Sequence, residues 1–155
     1  MAEITAKMVA ELRAKTGIGM MDCKKALKET DGDFDAAIKV LRERGLAVAA
    51  KKADRIAAEG LVSIKYNEAH DAAAMIEVNT ETDFVAKNAS FQAFVEDLLD
   101  TILANKPADV DALLACSYAG TDRTVEAVLK DKIYEIGENL RIRRFVLANG
   151  TIGSY

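Results

Sequence analysis

The chain is poor in the residues from which most catalytic and metal sites are built. Its 155 residues include two cysteines, one histidine and no tryptophan. Cys23 and Cys116 lie far apart with no CxxC spacing, so they suggest no disulfide framework. Together with the lone His70 they cannot supply a Cys/His metal cage. A single proline among 155 residues, half of them apolar and 30% charged, excludes a disordered or collagen-like chain and points to a folded, helix-rich one. No apolar run approaches the roughly 18 to 20 residues of a membrane span. Met1-Ala2-Glu3-Ile4 has neither the basic nor the apolar stretch of an export signal, so a cytoplasmic address is expected, with no membrane partner. Excess positive charge is lacking too. With 21 Lys plus Arg against 25 Asp plus Glu, the net charge of −4 gives no overall footprint for a phosphate backbone, and no direct nucleic-acid partner is expected.

What is present is strong patterning. Thr5 caps a predicted helix with Met8, Val9 and Leu12 on one stripe, which Thr16-Gly17-Ile18-Gly19 stops and turns. Met20 to Lys28 repeats the pattern with Cys23, Ala26 and Leu27. Asp31-Gly32-Asp33 then breaks that helix and offers an Asp cap to a third, with Phe34, Ala37, Ile38 and Leu41 inward and Gly45 as its end. Residues 46–59 read as an Ala-rich helical connector with a basic face of Lys51, Lys52 and Arg55. From Gly60 the period changes to two: Val62, Ile64 and Tyr66, then a polar turn, then Ala74, Ile76 and Val78, which predicts a hairpin with one buried face. Phe91, Phe94, Val95, Leu98, Leu99, Ile102 and Leu103 mark a long amphipathic helix capped by Ser90 and ended by Pro107. Shorter helices are predicted near 109–116 and 124–136. A last strand runs over 140–148, with its apolar phase slipping near Arg143 as at a bulge or a change of sheet face.

The expected architecture is α+β, a three-helix amino-terminal unit followed by a core with a small antiparallel sheet packed on helices. Its expected divisions are 1–54, 55–139, and 140–155 as the start of a second core subdomain. Thr151 to Tyr155 reads like a strand in mid-course, as expected of an incomplete chain.

No GxSxG, P-loop, GxGxxG or HExxH pattern occurs, so neither an enzyme nor a cofactor is expected. Two other features stand out. Gly17-Ile18-Gly19-Met20-Met21 sets two adjacent methionines at a helix start, where consecutive side chains cannot share one small core. Methionine is an adaptable contact residue at protein surfaces. Asn79 to Asn88 is a polar loop with Phe84 and Val85 at its tip, and such a tip either folds back as a lid or protrudes into a partner.

Three ordered blocks carry a resemblance. They are Leu12-Arg13-Ala14-Lys15-Thr16-Gly17-Ile18-Gly19-Met20-Met21-Asp22-Cys23-Lys24-Lys25-Ala26-Leu27, Glu77-Val78-Asn79-Thr80-Glu81-Thr82-Asp83-Phe84-Val85-Ala86-Lys87, and Ile136-Gly137-Glu138-Asn139-Leu140-Arg141-Ile142-Arg143-Arg144. In these the sequence resembles the elongation factor Ts family, the guanine-nucleotide exchange factors of elongation factor Tu. The resemblance implies a ubiquitin-associated-like three-helix domain that docks on the partner's GTPase domain through Leu12, Met20 and Met21. It also implies a loop of Thr82, Asp83, Phe84 and Val85 that enters near the partner's magnesium site and dislodges the ion. Family members continue beyond residue 155 into a second half. The competing expectation is an RNA- or ribosome-associated module using Lys51, Lys52, Arg55, Arg141, Arg143 and Arg144.

Overall fold

A computed structural model describes residues 2–155. Three helices come first, α1 (Ala6–Thr16), α2 (Met20–Glu29) and α3 (Phe34–Lys52), followed by the hairpin of β1 (Glu59–Tyr66) and β2 (Ala72–Thr80). Then come a single turn, α4 (Asp83–Ala86), the long α5 (Ala89–Asn105), α6 (Val110–Ala115), α7 (Val125–Ile136) and β3 (Arg141–Asn149). The α+β class is as read from the sequence. The sheet has the order β1-β2-β3, antiparallel throughout.

Two apolar clusters organise these elements. Val9, Leu12, Ile18, Cys23, Ala26, Leu27, Ala37 and Leu41 form the core of the three-helix bundle. Ala74, Ile76 and Val78 of β2 meet Phe91, Phe94, Val95, Leu98, Leu99 and Ile102 of α5 in the second. The long helix α3 belongs to both, since Ala37 and Leu41 lie in the first cluster and Ala49 in the second.

Gly45 therefore does not end a helix. α3 runs on to Lys52 as one element, merging the third helix with the basic connector that was expected to follow it. The position faces α7: a Cβ here would lie 3.7 Å from Asp131 and from Tyr134, an ordinary contact distance. Two further expectations are corrected. Asn88, not Ser90, caps α5, its side chain accepting from the amides of Ser90 and Phe91. The β1 phase is also the reverse of the one expected. Val62, Ile64 and Tyr66 pair with Glu77, Met75 and Ala73, whereas Leu61, Ser63 and Lys65 pair with the buried Val78, Ile76 and Ala74. Lys65 reaches α5 by ion pairs to Asp100 at 2.8 Å and Glu96 at 3.5 Å, and Val62 is 57% exposed. A lysine with carboxylate partners thus sits on the covered face, and an apolar residue is left on the open one.

The slip near Arg143 is a bulge. Glu77 pairs with Arg144 and Val78 with Ile142, leaving Arg143 as the extra residue. Residues 140–155, expected to open a second core subdomain, pair with β2 through β3 and supply Leu140 and Ile142 to the same apolar cluster.

Candidate functional site

The segment between β2 and α5 folds into a tightly held turn with an unprotected tip. Thr82 takes an extended conformation (φ −125°, ψ 155°) and caps α4, its hydroxyl accepting from the amide of Val85 at 3.5 Å. Val85 points back and packs against the sheet–helix core. Phe84 points out and is 81% exposed. Thr82 and Val85 therefore anchor the turn, while Asp83 and Phe84 are presented by it. Asp83 pairs with Lys87 one turn on at 2.9 Å, and this hydrogen bond holds its carboxyl below the usual aspartate value of 3.8. At neutral pH the tip is an aromatic beside an ionised carboxylate.

Beneath the tip lies a bracket built from two carboxylates. Glu138 Oε2 accepts the amides of Glu81 and Thr82, each at 3.1 Å, and Glu138 Oε1 accepts the Thr82 hydroxyl at 2.6 Å. Glu81 Oε1 in turn accepts the amide of Asn139 at 2.7 Å. Glu138 lies in the third block of the resemblance but is not among the site residues expected from the sequence. Nothing in its spacing announces a partner more than fifty residues away.

The methionine pair is also presented. Met20 is 41% and Met21 67% exposed at the start of α2. Leu12 is different. It is fully buried in the bundle core, so it supports this surface from within and has no face to offer a partner. The glycine turn before Met20 and the root of the Phe84 turn converge on one side chain. A Cβ on Gly17 (φ +70°) would fall 2.7 Å from the Glu135 carboxyl carbon, so only glycine fits there without shifting that carboxylate. Glu135 itself accepts from Ser90 at 3.1 Å and from Lys132 at 3.1 Å, and Ser90 opens α5 directly behind the turn. The two presented surfaces are thus tied to the same helix, α7.

Among the described residues, no three of His, Cys, Asp and Glu come together as ligands for a metal ion, and no helix is long and apolar enough to cross a membrane. The fold and its presented surfaces define an α+β chain that carries a three-helix bundle and a loop with an outward aromatic. Comparison with known proteins gives the family. The family model described as "Elongation factor TS" matches residues 81–155. The chain is 53% identical to elongation factor Ts of Syntrophotalea carbinolica, over 99% of this chain and 51% of that protein. Against the elongation factors Ts of Clostridioides difficile and Trichlorobacter lovleyi it is 50% and 48% identical, over 100% and 98% of this chain and 52% and 50% of theirs. The chain belongs to the elongation factor Ts family. It spans about half the length of the curated relatives it matches.

Proposed function

We propose that this chain acts in translation elongation in the cytoplasm, binding elongation factor Tu on its GTPase domain and promoting release of GDP. The exposure of Phe84 carries this reading. An aromatic ring held 81% in solvent by a capped turn is free to be buried in another molecule without first leaving a core. In this reading residues 1–54, a ubiquitin-associated-like unit, dock through Met20 and Met21. Residues 55–139 bring the turn to the nucleotide site, and residues 140–155 open a further part of the core. Phe84 wedges between helices of the GTPase, and Asp83 disturbs the oxygen shell of its magnesium ion, so that the metal loosens first and GDP follows.

The energetics are those of linkage. Whatever binds the nucleotide-free partner better than the nucleotide-bound one weakens nucleotide binding by the same factor. Burying one aromatic contributes about 1.5 to 3 kcal/mol, or roughly one to two decades in an equilibrium constant. Phe84 therefore supplies part of the displacement, and Asp83 with the methionine surface supplies the rest.

The test is release of a fluorescent GDP analogue from elongation factor Tu. The chain is expected to accelerate release over the spontaneous rate, and Phe84→Ala to remove roughly ten- to a hundredfold of that acceleration. A spontaneous rate with the intact chain, or an unchanged one with Phe84→Ala, would refute the reading.

The RNA-binding alternative has less support because several of its cations are already engaged. Lys52 donates to the carbonyl of Gly137, Arg55 lies 3.6 Å from Glu81, and Arg143 and Arg144 flank Glu77 at 3.8 and 2.6 Å. Phosphate contacts there would have to displace these partners.

A further inference from the structure

We infer that Glu138 is a positioning residue for exchange, fixing the direction in which Phe84 leaves the surface; this rests on the exchange reading above. The inference starts from what a carboxylate can do. An ionised carboxylate only accepts hydrogen bonds, so the 2.6 Å contact between Glu138 Oε1 and Thr82 Oγ1 commits the hydroxyl proton to Glu138. The threonine lone pairs are then left to face the first turn of α4, where the amide of Val85 is accepted. A hydroxyl that donates to an anion is also a better acceptor, so the cap is reinforced as well as oriented.

The second oxygen, Oε2, takes the two successive amides of Glu81 and Thr82, which fixes the peptide plane leading into the turn. Asp83 and Phe84 follow immediately. α4 is a single turn of four residues with no buried side chain, too short to hold its own direction. Its orientation is imposed from its amino-terminal side by Glu138 and from below by Val85.

The anchor on the other side is equally firm. The Asn139 amide donates to Glu81, and the Asn139 side-chain amide donates to the carbonyl of Arg55 at 2.8 Å. Each strand of the bracket therefore carries a carboxylate that accepts from the other's backbone. The α7–β3 junction sets the turn through charge-assisted bonds, and a loop ordered in this way enters a partner's site with less entropy left to lose.

The experiment uses the full chain with Glu138→Ala and the near-isosteric Glu138→Gln, together with Thr82→Val and Thr82→Ser. Amide hydrogen exchange is read residue by residue, and GDP release from elongation factor Tu is measured over a range of chain concentrations. Glu138→Ala and Glu138→Gln are expected to speed exchange at Glu81 and Thr82 by roughly ten- to a hundredfold, the size of a charge-assisted hydrogen bond. The amides of α5 should keep their protection, which confirms folding. The maximal stimulated rate should fall more than the half-saturating concentration rises, because docking through the methionines persists. Thr82→Ser should retain the rate and Thr82→Val lose it. In a Phe84→Ala background, Glu138→Gln should cost little more.

Unchanged exchange at Glu81 and Thr82 would overturn the inference. So would faster exchange with an undiminished maximal rate, or effects of Glu138 and Phe84 that simply multiply. If the unaltered chain fails to stimulate release, the exchange reading falls and the positioning role falls with it. The amide data then still report whether the carboxylate holds the turn.

Discussion

Asp83 and the two cysteines show how neighbours decide what a side chain does. Lys87 keeps Asp83 below its usual range, so the folded-state value is the depressed one. The sign follows from that: the ion pair favours the folded turn above the unfolded aspartate value and is lost as pH falls through the lower folded value. The proposed exchange activity should therefore be insensitive to this group between about pH 5 and 8. In Lys87→Met the Asp83 carboxyl should titrate closer to 3.8, which carboxyl-carbon NMR would read directly. Cys23 is fully buried, and burial pushes its thiol above the usual 9.0, whereas Cys116 is only partly buried. At neutral pH a thiol reagent should modify Cys116 in the native chain and reach Cys23 only on unfolding. Equal rates at the two positions would contradict the packing described for the bundle.

At the scale of the element, the long helix and the hairpin were legible and the turn between them was less so. The stripe from Phe91 to Leu103 is apolar at helical spacing, and all of it is buried except Leu103, which is partly covered. The hairpin was expected to bury Val62, Ile64 and Tyr66. In β1 the apolar phase of Val62, Ile64 and Tyr66 lies opposite the one that faces α5, where Lys65 meets the carboxylates of Glu96 and Asp100. At Gly60 the β1 backbone lies against that of β2. Its φ is +147°, and a Cβ would stand 2.2 Å from the Val78 carbonyl oxygen. Gly60→Ala is expected to destabilise the chain by about 2 to 4 kcal/mol, seen as a lower urea midpoint with an unchanged slope. Replacing the exposed Phe84 by alanine should shift that midpoint by less than about 0.5 kcal/mol equivalent. The contrast separates a residue kept for folding from one free to serve binding.

For the whole molecule, the decisive contact is that of α3 with α7, because it sets where the methionine surface lies relative to the Phe84 turn. Gly45 lies at this contact. An alanine there would make ordinary contacts of 3.7 to 3.8 Å with Asp131 and Tyr134 and would gain helix propensity, so Gly45→Ala should be neutral or stabilising by up to about 1 kcal/mol. Gly45→Leu overfills the same space. It should cost about 1 to 3 kcal/mol and, by moving the bundle off α7, lower stimulated GDP release even with both presented surfaces intact. Thermal melting and the nucleotide-release assay on the two variants would test this together. If Gly45→Leu behaves like Gly45→Ala in both, the spacing of the two surfaces does not depend on this contact.

Sequence alone carried whatever depends on neighbours along the chain: the α+β class, the helices at their 3.6 period, the register shift near Arg143 and the aromatic in a polar loop. It also carried the three blocks that mark the elongation factor Ts family. Tertiary structure decided what depends on residues brought together from afar. It showed Leu12 inward and Phe84 outward, Gly45 as a contact rather than a stop, and Glu138 against Thr82 across more than fifty residues. The division has a physical cause. Backbone periodicity and capping are local and leave a trace in adjacent residues, whereas a carboxylate chooses its donors only once the fold has set which amides lie within about 3 Å of it.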